Sequence, residues 1–411
     1  MYLSRHLQHL LLQLIEQFPA LLITGPRQVG KSTLLQHIGE NYRYITFDNP
    51  LVLNQALDDP TLFFLNYSGK LILDEIQYAP GLFSSLKWEI DKQKQNGQFL
   101  LSGSQAFQLM QSVSESLAGR IVILKLQGFS LREIHQVAFY RAFVPDDAYL
   151  HDREAQLKPY PNIWQTIHQG YMPRLYEQET NWDIYYASYV ATYIERDVRQ
   201  LTNVTNSSDF MRFMVAVAAR SGELLNYSNV SQEVGVSLDT VKRWLTILQT
   251  SGIVYLLQPY SNNHLKRIIK TPKIFMLDTG LMAFLTKWLT PETIQQGAKS
   301  GQFFETFVVS EIIKSYYNQG IIEPPLYFYR DTNQKEIDLI IADGNTLYPV
   351  EIKTTATPTK KMAKSFEVLK NSLNRNTQNN EIYLGKGVII NQYPEKYWLA
   401  EDLVALPVNY I

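Results

Sequence analysis

The sequence predicts an α/β fold in which a domain with a central parallel sheet is followed by helices and by a second α/β domain. Three observations predict it. Short apolar runs alternate with helical stretches in the first third of the chain, a glycine-rich loop follows the first of these runs, and the last third contains a predicted hairpin that carries carboxylates and a lysine. With 411 residues, the chain is too long for one ordinary hydrophobic core, so several domains are expected.

The composition excludes several classes of protein. Hydrophobic residues make up 45% and charged residues 19%, which is typical of a globular chain. The net charge of -1 provides no overall attraction to nucleic acid, so any basic surface must be local. The absence of cysteine excludes disulfides, thiolate metal sites and a cysteine nucleophile. The N-terminal stretch reads as an amphipathic helix, and no apolar run approaches the roughly 18 residues of a membrane span. We therefore expect a soluble, cytoplasmic protein.

The predicted parallel sheet has five strands. Each candidate is a short, mostly apolar or β-branched run, as expected for a strand that is buried on both faces. The five runs are Leu21–Thr24, Tyr44–Phe47, Leu71–Leu73, Phe99–Leu101 and Ile121–Leu126.

A complete phosphate-binding loop follows the first strand. The pattern G-x-x-x-x-G-K-S stands between that strand and a predicted helix, which is the context that this loop requires. Glycine permits backbone angles that point successive N–H groups at an anion, and the helix N-terminus adds positive potential. Lys31 is expected to reach the β- and γ-phosphates, and the Ser32 hydroxyl to coordinate Mg²⁺. The sequence therefore predicts that ATP is bound by Gly25, Val29, Gly30, Lys31, Ser32 and Thr33.

Acidic and small polar residues end the next strands of the sheet. Asp74 ends the third strand and is expected to hold Mg²⁺ together with Ser32, while the adjacent Glu75 would polarise the attacking water. A Glu directly after this Asp resembles the ATPase branch of P-loop proteins rather than GTPases or small kinases. The fourth strand ends in Ser102-Gly-Ser104, and either serine could contact the γ-phosphate, with Ser104 as our candidate.

Arg120 stands directly before the fifth strand. It could supply positive charge to a nucleotide as an arginine finger, either in its own chain or across a contact within a homo-oligomer. The alternative is an ordinary solvated arginine at the start of a strand. The sequence leaves both interpretations open.

The middle of the chain is predicted to be helical over residues 129–205 and to form a winged helix from about residue 208. The apolar face of its second helix consists of Val241, Trp244, Leu245 and Leu248. The exposed face of this helix and the wing would bind DNA through Lys242, Arg243, Lys266 and Arg267, with Lys270 and Lys273 adding positive charge. No acidic residue lies between Asp239 and Asp278. The alternative is a winged helix that serves as a lid or contacts a protein.

The last third of the chain combines carboxylates with a lysine. Glu305 lies on a predicted helix, Asp338 on one strand of a predicted hairpin, and Glu351 with Lys353 on one face of the next strand. The three carboxylates would bind Mg²⁺ or Mn²⁺ at a phosphodiester, and Lys353 would stabilise developing charge. The spacing D-x12-E-x-K resembles that of PD-(D/E)XK nucleases, so Asp338, Glu351 and Lys353 are candidate catalytic residues. The alternative is a surface ladder of Glu and Lys.

Taken as an ordered set, these motifs resemble a widespread bacterial and archaeal family of ATP-binding proteins. The resemblance covers most of the chain and is carried by GPRQVGKST, LILDEIQ, LSGS, SLAGR, GYMPR, YIERDV, LDTGL, FFETFV, EIDLII and VEIKT. Members join an AAA+-like P-loop domain to a C-terminal domain of undetermined role with a PD-(D/E)XK-like, restriction-endonuclease-like core. The resemblance implies ATP binding and hydrolysis through Gly30, Lys31, Ser32, Asp74 and Glu75. It does not identify a substrate.

The predicted organisation has four domains. They are an AAA+-like ATPase core at 1–135, a helical adaptor at 136–206, a winged helix at 207–285 and a nuclease-like domain at 286–411. Three functions are compatible with it: an ATPase that acts on DNA, an NTP-driven regulatory switch whose added domains bind proteins, and an ATPase whose nuclease-like domain is purely structural. The expected cofactors are ATP and Mg²⁺.

Overall fold

The structure is a computed structural model that describes residues 2–104, 116–193, 207–261, 271–331, 333–374 and 382–411. Two β-sheets organise these residues. The first lies in the N-terminal third, and the second joins strands from the middle and the last third of the chain. Within the described ranges, no helix is both long and apolar enough to cross a membrane.

Five parallel strands form the first sheet, as predicted. They are β1 (Ala20–Thr24), β2 (Arg43–Thr46), β3 (Leu71–Asp74), β4 (Phe99–Gly103) and β5 (Ile121–Lys125), in the order β2-β3-β4-β1-β5. Successive residues of β1 enter the cores on opposite faces: Leu21 and Ile23 pack on one side, and Ala20 and Leu22 on the other. This two-sided burial explains why the strand is apolar over most of its length.

Helices cover the two faces of this sheet. They are α1 (Leu7–Ile15), α2 (Lys31–Ile38), α3 (Pro50–Asp58), α4 (Pro60–Asn66) and α5 (Leu82–Gln93). The start of α3 is fixed by Asn49, whose side chain accepts a hydrogen bond from the N–H of Leu51, and by proline at the first helical position. Asp59 caps α4 in the same way.

Short helices follow the sheet, in agreement with the helical prediction for this region. They are α6 (Leu131–Ile134), α7 (Asp147–Glu154), α8 (Ile163–Gln169), α9 (Arg174–Glu177) and α10 (Trp182–Tyr193). Three side chains of this region hold the backbone carbonyls of residues 409–411. Arg132 Nε donates to Ile411 O at 2.9 Å, Tyr149 Oη to Tyr410 O at 2.8 Å, and Arg153 Nη2 to Asn409 O at 2.6 Å. Residues far apart in the sequence therefore share one buried interface.

Three helices and an antiparallel hairpin come next, in the region for which a winged helix was predicted. The helices are α11 (Ser207–Ala218), α12 (Tyr227–Val234) and α13 (Leu238–Thr250), and the antiparallel hairpin consists of β6 (Val254–Pro259) and β7 (Lys273–Met276). Ser237 caps α13 as predicted, since its hydroxyl accepts a hydrogen bond from the N–H of Thr240 at 3.1 Å. Gly235 ends α12 with a φ of +79°, a conformation that favours glycine.

The second sheet contains the predicted hairpin of the last third. Its further strands are β8 (Leu326–Arg330), β9 (Glu336–Asp343), β10 (Thr346–Ile352), β11 (Tyr383–Leu384), β12 (Gly387–Asn391), β13 (Tyr397–Ala400) and β14 (Leu403–Pro407), and the helices are α14 (Thr279–Leu285), α15 (Pro291–Gln296), α16 (Ser300–Tyr317) and α17 (Phe366–Asn374). The order is β13-β14-β12-β10-β9-β8-β6-β7, with β11 beside β10. Because β6 pairs with β8, this sheet crosses the predicted domain boundary between residues 285 and 286.

Candidate functional site

The glycine-rich loop lies at the carboxyl end of β1 and leads into α2. Gly25 has a φ of +144°, and a Cβ at this position would lie 2.0 Å from the carbonyl oxygen of Leu126, so only glycine fits. Gly30 has a φ of +90°. Lys31 Nζ donates to the carbonyls of Gly25 at 3.0 Å and Pro26 at 2.7 Å, which holds the ammonium group inside the loop. The loop is therefore arranged around a cation before any phosphate is bound.

The Asp74 carboxylate accepts hydrogen bonds from hydroxyl groups on three elements, α2, β2 and β4. The Ser32 hydroxyl donates to Asp74 Oδ1 at 2.7 Å, the Tyr44 hydroxyl donates to Oδ2 at 2.6 Å, and the Ser102 hydroxyl also donates to Oδ1. Burial, and secondly the hydrogen bond to Asp74, raise the pKa of Tyr44, which keeps its hydroxyl protonated as a donor. A hydroxyl and a carboxylate are the oxygen ligands that Mg²⁺ prefers. Ser32 and Asp74 thus fit the predicted metal role.

Glu75 extends from the same strand end into the cleft. Its φ of +57° turns the chain sharply after β3. Glu75 Oε2 accepts hydrogen bonds from the Ser104 hydroxyl at 3.2 Å and from the Gln77 amide. The two serines at the end of β4 therefore contact different carboxylates: Ser102 contacts Asp74, whereas Ser104 contacts Glu75.

An open cleft of about 1010 Å³ lies over the loop. Val29, Gly30, Lys31, Ser32, Thr33 and Glu75 line it, as the sequence predicts for a nucleotide site. Its other wall contains residues that sequence reasoning missed as ligands, among them Arg5, Phe129 and Arg174. Arg174 ends the motif GYMPR, which marked a break in the chain but gave no sign of this position.

Arg5 holds the glycine-rich loop from below. Its guanidinium donates to Val29 O at 2.7 Å and to Gln127 O at 2.6 Å, and it forms a buried ion pair with Glu133 at 3.0 Å. Burial alone would raise the pKa of Glu133, but Arg5 and neighbouring donors lower it, so the carboxylate stays charged. The loop is thereby tied to the segment after β5 (residues 126–133), and no motif in the sequence indicated this anchor.

Arg120 does not reach the nucleotide site of its own chain. It precedes β5, whose first residue Ile121 pairs with Ala20 at the amino end of β1, whereas the loop follows the carboxyl end. Its guanidinium forms two hydrogen bonds with Asp91, at 2.7 and 3.1 Å. The finger within one chain is therefore contradicted by the strand register, and only a role across a subunit contact remains a prediction.

The predicted nucleic-acid residues divide into three groups. Lys242 and Arg243 are exposed on α13, and neither forms an ion pair with another described residue. Lys266 and Arg267, like Lys270, lie outside the described residues. Lys273 was expected to add charge to the wing, but it is only 3% exposed. Its ammonium group binds Glu305 at 3.1 Å and Glu336 at 2.5 Å, so it cannot contact a phosphate at the surface.

Asp338, Glu351 and Lys353 converge and are called here the carboxylate–lysine cluster. Lys353 Nζ lies 2.7 Å from Glu351 Oε1 and 3.2 Å from Asp338 Oδ2, and Asp338 also accepts the N–H of Ile352 at 2.8 Å. Burial, and secondly the charge of Asp338, raise the pKa of Glu351 to about 7. The hairpin thus places these three side chains together as predicted.

Glu305 is bound differently from the prediction. Its partner is Lys273, and burial raises the pKa of Glu305 to about 7 although Lys273 opposes this shift. No group of three or more His, Asp or Glu side chains among the described residues is arranged to hold a metal ion. The predicted set of Glu305, Asp338 and Glu351 is therefore not arranged as a metal site: Lys273 pairs with Glu305, and Lys353 pairs with both Asp338 and Glu351.

Models of known protein families match three stretches of the chain. Residues 17–135 match the family model described as AAA domain, residues 160–319 match a domain of unknown function (DUF8612), and residues 300–411 match a domain of unknown function (DUF4143). The N-terminal third is accordingly an ATPase-like domain of the AAA type. The models for the middle and the last third carry no stated activity.

Similar proteins span nearly the whole chain. Uncharacterized proteins of Mycobacterium tuberculosis and Mycobacterium bovis are each 28% identical over 404 residues, which is 97% of this chain and 82% of theirs. Among solved structures, a Walker-type ATPase of Pyrococcus abyssi is 15% identical, with a TM-score of 0.43 over 69% of this chain and 96% of that one. The RuvB Holliday junction branch migration motor of Thermotoga maritima is 14% identical, with a TM-score of 0.31 over 61% and 88%.

Proposed function

We propose that this protein binds ATP with Mg²⁺ at the glycine-rich loop, hydrolyses it, and uses the reaction to act on nucleic acid. One observation carries the ATPase assignment: Lys31, the pair Ser32–Asp74 and Glu75 meet at the carboxyl ends of neighbouring parallel strands, around a single cleft. Ligands bind at this edge of open α/β sheets as a rule.

Each of these side chains has a defined task in hydrolysis. Lys31 would exchange its carbonyl partners for phosphate oxygens, and Ser32 with Asp74 would hold Mg²⁺, which neutralises phosphate charge when bound. Glu75 would accept the proton of the attacking water, because it lies in the cleft beside the loop. Ser104 holds the Glu75 carboxylate at 3.2 Å and so fixes its orientation.

Two substitutions test the ATPase assignment. Lys31→Ala should abolish productive ATP binding, because it removes the charge that faces the phosphates. Glu75→Gln should retain ATP binding but lose at least about 100-fold in turnover, since an amide cannot accept the proton. Binding is measured with a fluorescent ATP analogue and turnover by phosphate release. Undiminished turnover in Glu75→Gln protein would contradict the role given to this carboxylate.

The action on nucleic acid is supported by two features of the middle region. The exposed Lys242 and Arg243 lie on α13, the helix that would enter the groove of DNA in a winged helix. The turn that follows α13 touches the ATP loop, because a Cβ at Gly252 would lie 2.9 Å from Cδ of Pro26. Through the contact between Gly252 and Pro26, binding of a ligand to α13 could affect the nucleotide site.

The decisive measurement is the ATPase rate with and without single-stranded, double-stranded and branched DNA. We expect stimulation by at least one of them, and loss of that stimulation when Lys242→Glu and Arg243→Glu are combined. Phosphate contacts on duplex DNA would give a slope of log affinity against log salt of roughly -0.9 per contact. If the protein hydrolyses ATP but neither binds nucleic acid nor is stimulated by it, the result would favour the alternative function, a regulatory switch whose added domains bind proteins.

Phosphodiester cleavage is the second candidate function. The observation that favours it is the convergence of Asp338, Glu351 and Lys353 on one hairpin, at the distances of a hydrogen-bonded cluster. A metal ion would have to displace Lys353 from between the carboxylates. The test is nicking of supercoiled DNA with Mg²⁺ by wild type, Asp338→Ala and Lys353→Ala protein. Cleavage that survives both substitutions would assign the activity to a contaminant, and absent cleavage would leave the cluster a structural feature.

A further inference from the structure

A second large cavity lies in the C-terminal third of the chain, away from the ATP loop. It lies between the segment 360–370 and the strands β10 and β12, is open to solvent, and offers about 320 Å³ of space accessible to water. Its floor is apolar and includes Pro349, Phe366, Leu384 and Leu403. An apolar floor and a volume of at least about 300 Å³ are typical of ligand sites in proteins.

Four lysines line this cavity and are called here the lysine rim: Lys360, Lys361, Lys364 and Lys370. All four are exposed, and none forms an ion pair with another described residue. Two carboxylates, Glu367 and Asp402, also line the cavity, so the rim keeps an excess of positive charge. Unpaired lysines around an apolar floor complement a ligand that combines an apolar ring with negative charge.

Two glycines that line this cavity pack closely against aromatic rings. A Cβ at Gly387 would lie 2.7 Å from the ring of Phe366, and a Cβ at Gly385 would lie 2.4 Å from the ring of Tyr348. The backbone of residues 385–387 is therefore pressed against two aromatic rings.

The lysine rim adjoins the carboxylate–lysine cluster. Ser365, which lies between Lys364 and Phe366, donates its hydroxyl to Glu351 at 3.4 Å. No acidic residue occurs in the sequence between Glu351 and Glu367. The basic segment thus leads directly from the cavity to the cluster.

The chemistry of the cavity favours a single strand over a duplex. In a duplex the bases are stacked and paired, and extruding one costs a few kcal/mol. A single strand offers its bases freely, and proteins bind it by combining cationic side chains along the phosphates with apolar or aromatic surfaces for the bases.

We propose that the lysine rim binds the phosphates of single-stranded nucleic acid and that a base enters the apolar cavity beside it. This inference rests on the proposed action on nucleic acid and names the place in the C-terminal third at which a single strand is held. The bound strand then runs toward the carboxylate–lysine cluster, while α13 is left to contact a duplex region.

The test uses the full-length protein and two matched variants. In the rim variant Lys360, Lys361, Lys364 and Lys370 are changed to Gln. In the control variant the exposed Lys70, Lys87, Lys92 and Lys94 of the ATPase domain are changed to Gln, which alters the net charge equally. Binding of a fluorescent oligothymidylate and of a duplex of equal length is followed by anisotropy at several salt concentrations.

We expect the rim variant to bind the single strand at least tenfold more weakly than the control variant. Its slope of log affinity against log salt should be smaller by about 3, because each lost contact with a single-stranded phosphate removes roughly 0.7. ATP turnover without nucleic acid should be the same in both variants, which shows that they are folded. Crosslinking of an oligonucleotide that contains 4-thiothymidine should label the peptide of residues 360–370.

Several outcomes would overturn the inference. Equal losses in the rim and control variants would show a general charge effect, and tighter binding of duplex than of single strand would exclude the cavity as a base site. Competition by free mononucleotides at equal concentration would assign the cavity to a small ligand instead. If wild type binds nucleic acid and the rim variant binds it as well, only this inference fails. If wild type binds none, the proposed action on nucleic acid fails with it.

Discussion

Two arginines, Arg174 and Arg120, are candidates for assisting hydrolysis. The side chain of Arg174 lines the ATP cleft, whereas Arg120 is held by Asp91 at the amino edge of the sheet. We therefore predict that Arg174, rather than Arg120, assists hydrolysis within one chain. A cation near the γ-phosphate stabilises charge in the transition state more than it stabilises bound ATP.

We predict that Arg174→Ala lowers turnover at least tenfold with a smaller loss of ATP affinity, at every protein concentration. Arg120→Ala should lower turnover only at concentrations where wild-type turnover per protein rises, as expected for contact between subunits. Arg141→Ala is the control, because Arg141 forms a comparable surface ion pair with Asp152 at 2.6 Å. Unchanged turnover in Arg174→Ala protein would remove it from the mechanism.

The raised pKa values of Glu305 and Glu351 predict how the free energy of unfolding changes with pH. The pKa of each is raised from 4.5 to about 7, chiefly by burial, so the folded protein binds these protons more tightly than the unfolded chain. The free energy of unfolding should consequently fall as the pH rises from about 4.5 to about 7, and the contribution should be constant above that range. The charges that act on Glu305 are those of Lys273, Asp338 and Glu336, and those that act on Glu351 are Asp338 and Lys353.

We expect Glu305→Gln combined with Glu351→Gln to flatten this pH dependence by on the order of 1 to 3 kcal/mol between pH 5 and 7.5. The measurement is urea unfolding with a chelator present, at several pH values. The exposed Glu395→Gln serves as the control and should leave the wild-type profile unchanged. A profile that is identical in the double variant would show that these carboxylates titrate normally.

At the scale of elements, the turn between α13 and β6 packs against the ATP loop. A Cβ at Gly252 would lie 2.7 Å from Nε2 of Gln127 and 2.9 Å from Cδ of Pro26, and the φ there is +71°. Gly235 offers a matched control, because its φ is +79° but nothing lies within 4 Å of the position that a Cβ would occupy there.

We predict that Gly252→Ala weakens ATP binding about threefold to tenfold, whereas Gly235→Ala leaves it unchanged. Both substitutions carry the cost of a left-handed backbone for alanine, about 1–2 kcal/mol, so their difference isolates the contact with the loop. ATP affinity and thermal unfolding would be measured for both proteins. Equal ATP affinities would show that the turn does not influence the nucleotide site.

How well the sequence predicts an element depends on where its partners lie. The five strands of the first sheet and the cap at Ser237 were predicted correctly, because apolar runs and capping residues act over short distances. Lys273 was misjudged because its partners Glu305 and Glu336 lie 32 and 63 residues further along the chain. For Arg120 the sequence left two interpretations open, and its ion pair with Asp91, 29 residues earlier in the chain, is again a contact that no local pattern indicates.

At the scale of the whole molecule, strand β6 belongs both to the hairpin and to the second sheet, and we expect a fragment without it to fold poorly. It pairs with β7 in the hairpin and with β8 in the second sheet. A fragment that begins at residue 286 loses both strands, so β8 becomes an exposed edge that invites association with other chains. It also loses Lys273, the partner of Glu305.

We predict that a fragment of residues 286–411 aggregates or unfolds at lower temperature than a fragment of residues 207–411, by more than 10 °C. Size-exclusion chromatography with light scattering and thermal unfolding would compare the two. A monomeric 286–411 fragment of equal stability would show that β6 and β7 contribute little to the second sheet.

The bonds between residues 132–153 and residues 409–411 set an order of events during synthesis. Arg132 emerges 279 residues before its acceptor Ile411, and Arg153 emerges 256 residues before Asn409. At translation rates of about 5–20 residues per second, these side chains wait roughly 15 to 60 s for their acceptors. The first sheet can form in that interval, because all five of its strands precede residue 126. We therefore expect the first sheet and its ATP loop to form before the interface with residues 409–411 closes.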